Sequence, residues 1–278
     1  MAFVYSGAGS LDYSPCRYGM SKLIFRGPKQ ALDRPYTVVL GGTETYGKFV
    51  AQPYPSVLAQ KTDRLVVNLG YVNAGPDAYL NDPGTLAIAA ASEVAIVQLI
   101  GAANVSNRFY TVHPRRNDRF VMATPWLRSL FPEVDFTEFH FTGHLVQTLH
   151  HVSPKRFALV AAELRAVWLD RMRQLLGRFS GKVVLLWMAD QPPPPAAPEP
   201  EPSARPLLVD AKMIAELRSA ADAYVEYVIS LAAATEPVTR KVFDPLEEPA
   251  ALDTPGPLAH VEAAAALEAA LKLLMPAK

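Results

Sequence analysis

Cysteine is almost absent: Cys16 is alone among 278 residues. An intramolecular disulfide framework and a cysteine-rich metal site are therefore excluded, which fits a reducing cytoplasm. Net charge is missing too, with 27 Lys and Arg balancing 27 Asp and Glu. That balance gives no electrostatic reason to expect nucleic acid or a membrane as partner. The longest apolar run near the middle, VVLLWMA at 183–189, is far too short to span a bilayer. The opening MAFVYSGAGSLDYS lacks the basic start and long apolar stretch of a signal peptide. The expectation is a soluble, cytoplasmic protein without a membrane or nucleic-acid partner. No internal repeat is visible.

Hydrophobic residues, by contrast, make up half of the chain, ample for a large core. Apolar runs at TVVL (37–40), LVVNLG (65–70), VAIVQLIG (94–101) and KVVLLWMA (182–189) alternate with helical stretches. These include PYPSVLAQK (53–61) and DPGTLAIAAASE (82–93), the latter with proline at its start. Such alternation predicts a parallel sheet. The runs are continuously apolar, as in strands covered on both faces. Residues 153–179 read as a long amphipathic helix with Ser153 as N-cap and Pro154 next, and LLVDAKMIAELRSAADAYVEYVISLAAA (207–234) reads as a short strand or turn followed by a helix. A final helix is HVEAAAALEAALKLL. The whole chain, 1–278, reads as one three-layer α/β domain with about five parallel strands. It carries a long insertion at 105–152 after the third strand and a disordered Pro-rich loop at 191–206.

In an open parallel sheet, ligands bind at the carboxyl ends of the strands. Three such ends carry unusual polar text: GGTETYG (41–47), NLGYVNAGPD (68–77) and GAANVSN (101–107). The first lacks the Gly-Lys-Ser/Thr ending of a phosphate loop and the Gly-x-Gly-x-x-Gly spacing of a dinucleotide loop. A tight turn whose threonines cap the next helix is its plain structural reading. Taken in order, the three blocks resemble the SGNH/GDSL hydrolase family. The family's Gly-Asp-Ser turn falls on Gly41-Gly42-Thr43, with Gly42 at the Asp position and Thr43 at the Ser position. Asn68 to Asn73 falls on the second block and Gly101 to Asn104 on the third. Gly256-Pro257-Leu258-Ala259-His260 falls on the last, with Pro257 where the family has its Asp and Asp253 as the nearest acid. FHFTGHL (139–145) competes for that last block but precedes the fourth strand. The chain is also similar to a group of uncharacterised bacterial proteins carrying GGTETYGKFV, NAGPD and HPRRNDRF.

The resemblance implies an SGNH/flavodoxin-like fold and acyl transfer by an esterase or acyltransferase. Thr43 would attack, His260 would act as base supported by Asp253, Glu44 or a backbone carbonyl, and Gly70 and Asn104 would stabilise the oxyanion; Asn73 would line the site. The substrate would be a small or glycan-like acyl compound, and no cofactor or metal would be needed. In the insertion, Arg108, Arg115 and Arg116 could hold an anionic group, or could simply pair with Asp118, Glu133, Asp135 and Glu138. His140 joins them as a substrate-binding candidate, and His140 with His144 has the i,i+4 spacing of a helical metal pair, without a clear third ligand. Two other functions fit the same text: a catalytically silent ligand-binding or scaffold protein, and a sulfo- or glycosyl-transferase using the arginines. Oligomeric state is open.

Overall fold

The five apolar segments assemble in the order β2-β1-β3-β6-β7, all parallel, in the computed structural model, which describes residues 11–203 and 205–275. The opening MAFVYSGAGS, part of the stretch that was read for a leader, lies outside the described residues. β1 is Tyr36–Gly41, followed by a one-turn helix α1 (Thr43–Tyr46) and α2 (Tyr54–Thr62). β2 (Leu65–Gly70) leads to α3 (Pro76–Leu80) and α4 (Pro83–Ala90), and β3 is Val94–Gln98. The insertion builds a separate antiparallel hairpin, β4 (Tyr110–Val112) and β5 (Phe120–Ala123), then α5 (Pro125–Leu130) and α6 (Thr142–Val152). α7 (Pro154–Leu176) returns the chain to β6 (Lys182–Ala189). α8 (Ala211–Arg218), β7 (Ala223–Val228), α9 (Leu231–Ala234), α10 (Glu248–Leu252) and α11 (Pro257–Leu274) complete the order.

Strand side chains alternate between two cores. Val38, Leu40, Val97, Leu185 and Trp187 face the layer that holds Phe157, Leu164 and Trp168 of α7. Val39, Ile96, Val184, Leu186 and Met188 face α2 and α11, through residues such as Leu58, Ala263 and Leu267. Both faces are thus covered, which is why these runs are apolar without interruption. α7 starts where expected, with the Ser153 hydroxyl accepting the Arg156 N–H at 3.3 Å and Pro154 in the first turn.

The helix expected after the start of 207–234 is present but short, as α8, and the chain then turns into the strand β7. AYVEYV is rich in β-branched and aromatic residues, and pairing with β6 in full register settles its state. Residues 191–203 form no helix or strand. Their backbone meets the body where Pro194 O accepts the Ala211 N–H at 2.9 Å and Ala197 O accepts Arg165 Nη1 at 3.2 Å. No helix among the described residues is long and apolar enough to cross a membrane.

Candidate functional site

Counted within the sheet alone, the strand order is 2-1-3-4-5, and its direction reverses between β1 and β3. Loops leaving two neighbouring strands in opposite directions open a crevice at their carboxyl ends. A cavity of about 390 Å3 lies there, within the ordinary size range of small-molecule sites. Gly42, Thr43 and Glu44 come from the end of β1, Gln98 to Gly101 from the end of β3, and Asn73 from the β2 loop. The insertion supplies Asp118, Phe141 and Thr142, and Pro202, Arg205 and Leu207 close the side.

Gln98 organises the floor. It is buried, its Oε1 accepts the Gly42 N–H at 3.1 Å and the Thr45 hydroxyl at 2.6 Å, and its Nε2 donates to Glu44 Oε2 at 3.0 Å. A polar side chain inside VAIVQLIG therefore ties the β1 turn to β3. Thr45 also meets the Tyr54 hydroxyl at 2.7 Å, linking the turn to α2.

Thr43, Asn73 and Asn104, named from the sequence, do come together. The Thr43 hydroxyl donates to Asn73 Oδ1 at 3.0 Å and accepts the Asn73 N–H at 3.0 Å. Asn73 Nδ2 donates to Asp118 Oδ2 at 3.1 Å. Asn104 Nδ2 donates to Asn73 O at 3.2 Å, and Asn104 Oδ1 accepts the Thr142 hydroxyl at 2.6 Å. The backbone of Asn73 is left-handed, φ 54°, a conformation Asn tolerates better than most residues.

The other candidates are placed elsewhere. His260 is buried on α11 outside the cavity lining, and its Nδ1 accepts the Tyr54 N–H at 3.1 Å. Burial, reinforced by the cations Arg26 and Lys241, lowers its pKa to about 3. A neutral ring with Nδ1 occupied carries its proton on Nε2, so it has no free acceptor for a proton from Thr43. Asp253 does not support it: its exposed carboxylate accepts Arg205 Nη2 at 3.3 Å.

Gly70 is not free to donate to an oxyanion either, since its N–H goes to Asn68 Oδ1 at 2.8 Å. The residue is glycine because a Cβ there would sit 2.3 Å from Tyr46 N. Arg108 pairs with Glu163 at 3.3 Å, while Arg115 and Arg116 are exposed and outside the lining. Burial raises the pKa of Tyr71, and the charges of Arg115 and Arg116 act against that rise, which places both near its ring.

His140 is exposed and precedes α6, so it shares no helix face with His144, and among the described residues no group of three or more His, Cys, Asp and Glu could hold a metal ion. Gln98 and Asp118 were missed as site residues, and Glu44, considered only as a support for His260, instead accepts from Gln98 Nε2 in the cavity. The signal for Gln98 was present, one amide in an apolar strand; for Asp118 nothing local distinguished it from the arginines around it.

Comparison with known proteins places little beside this site. No curated protein matches the chain. Among solved structures, a lipase/acylhydrolase from Enterococcus faecalis aligns with 14% identity and a TM-score of 0.43, over 87% of this chain and 99% of that one. A family two carbohydrate esterase from Clostridium thermocellum, in complex with cellohexaose, aligns with 11% identity and a TM-score of 0.40, over 91% and 67%. Likeness at that level does not extend to activity or to residue roles. The model of a domain of unknown function, DUF6473, matches residues 1–275, and the chain belongs to that family.

Proposed function

We propose that this chain uses the strand-end cavity to bind a small, hydroxyl-rich, saccharide-like ligand, and that it carries out no acyl transfer through a Thr43–His260 pair. The observation that carries this reading is the state of the two groups. The Thr43 hydroxyl is engaged from both sides by Asn73, and the His260 ring is sealed under α2 with Nδ1 occupied. A hydroxyl is a poor nucleophile without a base in reach.

The lining favours hydroxyl groups. Glu44 and Asp118 are acceptors, Asn73 and Asn104 offer amides, and Phe141 presents an apolar face. Two carboxylates against Arg205, which Asp253 already neutralises, disfavour an anionic ligand. The arginine-based transferase reading loses its support, because Arg115 and Arg116 stand outside the lining.

The test pairs an activity assay with a binding assay. The protein should neither hydrolyse p-nitrophenyl acetate nor react with a fluorophosphonate probe. A panel of mono- and disaccharides should raise its melting temperature, and Asp118→Ala should weaken that binding about tenfold or more. Turnover and labelling that disappear in Thr43→Ala would restore the esterase. Failure of every sugar to shift the wild type removes the ligand class.

A further inference from the structure

The β4–β5 hairpin and the helix after it expose side chains that soluble surfaces usually cover. Val121 is 55% exposed, Met122 54% and Trp126 70%, all within six residues of chain. Val121 and Met122 are consecutive on β5, and Val121 is the extra residue of a bulge, since Phe120 pairs with Val112 and Met122 with Thr111. Trp126 stands in the first turn of α5.

Charge in this region is of one sign. Residues 108–128 hold five arginines and a single acid, Asp118, in a chain whose total charge is balanced. Asp118 is turned towards Asn73, and Arg108 is occupied by Glu163. Arg115 and Arg116, at the hairpin turn, have no ion-pair partner among the described residues. Arg119 lies over the Phe141 ring at 4.3 Å, and Arg128 is exposed beside Phe136. Of the acids that follow, Glu133 meets Arg156 and Asp135 meets Thr137, while Glu138 is exposed.

We propose that the β4–β5 hairpin and the start of α5 form a docking face for an anionic lipid surface, with the cavity mouth beside it. A short bulged ribbon and a helix start that expose a valine, a methionine and a tryptophan suit a fluid apolar medium. Tryptophan favours the membrane–water boundary, and arginines beside it meet anionic headgroups. Asp118 of the hairpin turn lines the cavity, as does Phe141, which bridges to Arg119 of the same turn, so docking brings the cavity to the lipid surface. The zero net charge of the chain conceals this local excess. The inference does not depend on which ligand the cavity holds.

The test uses the full chain and vesicles of phosphatidylcholine, with and without phosphatidylglycerol. Trp168 and Trp187 are buried, so Trp126 should report docking. Expected are cosedimentation with the mixed vesicles, a blue shift of tryptophan emission and release at high salt. Arg115→Glu with Arg116→Glu should lower vesicle affinity roughly tenfold or more. Val121→Ser, Met122→Ser and Trp126→Ser together should abolish binding while the far-UV circular dichroism stays unchanged. No cosedimentation of the wild type, or wild-type affinity in both variants, overturns the proposal. So does light scattering that shows a dimer lost in the triple variant, since the face would then serve a second copy.

Discussion

Thr43 and Asn73 hold one another from both sides, the hydroxyl donating to Oδ1 and accepting the backbone N–H, each at 3.0 Å. The residue at the hydrolase nucleophile position is thereby a structural clasp between the β1 turn and the β2 loop. Asn73 passes the clasp on to Asp118 and Asn104.

That clasp should be measurable in stability. Asn73→Ala loses the side-chain hydrogen bonds and also places alanine at φ 54°, for about 2 kcal/mol together. Asn73→Gly removes the same bonds without the backbone penalty and should cost about 1 kcal/mol less. Urea denaturation of both variants distinguishes the two contributions. Equal losses would show that the left-handed conformation contributes nothing.

His260 makes stability depend on pH in a defined direction. Its folded pKa is about 3 and its unfolded value about 6.5, so the unfolded chain binds the extra proton between these limits. Stability should therefore fall as pH drops through this window, by up to about 1.4 kcal/mol per pH unit from this group. Urea midpoints between about pH 4.5 and 6.5 avoid most carboxylate titration. His260→Gln should flatten the slope while lowering stability at every pH. A wild type with no slope there would contradict the sealed, neutral imidazole.

Gly70 tests the packing of the turn. A methyl at this position would meet Tyr46 N at 2.3 Å and Thr45 C at 2.6 Å, both backbone atoms. Gly70→Ala should cost about 2 kcal/mol or more, because neither atom moves without displacing α1. If the variant keeps its urea midpoint, the close approach of α1 to β2 is wrong.

Much of the architecture was legible before any coordinates. The apolar runs at 37–40, 65–70 and 182–189, the proline-led helices and the Ser153 cap are local signals, and local preferences agree there with the final fold. β7 was not legible: AYVEYV sits between helix-forming residues, and only the β6 edge it completes makes it a strand. The hairpin was hidden for a similar reason. Its strands are three and four residues long, and its partners are separated by a loop of seven.

For the site, sequence alone determined that polar, glycine-rich turns follow three buried strands, and so where a cavity would open. It also brought forward Thr43, Asn73 and Asn104, which share that cavity. Only the tertiary structure decided what those groups are bonded to. His260 lies at the right place in the order of blocks, yet the packing of α11 on α2 turns its ring onto the Tyr54 backbone, away from the cavity. Gly70 gives its N–H to a side chain two residues away, and Asp118 enters the cavity from an insertion that follows β3. Hydrogen-bond partners depend on contacts between residues distant in the chain, and no local pattern encodes which of two available acceptors a donor will meet.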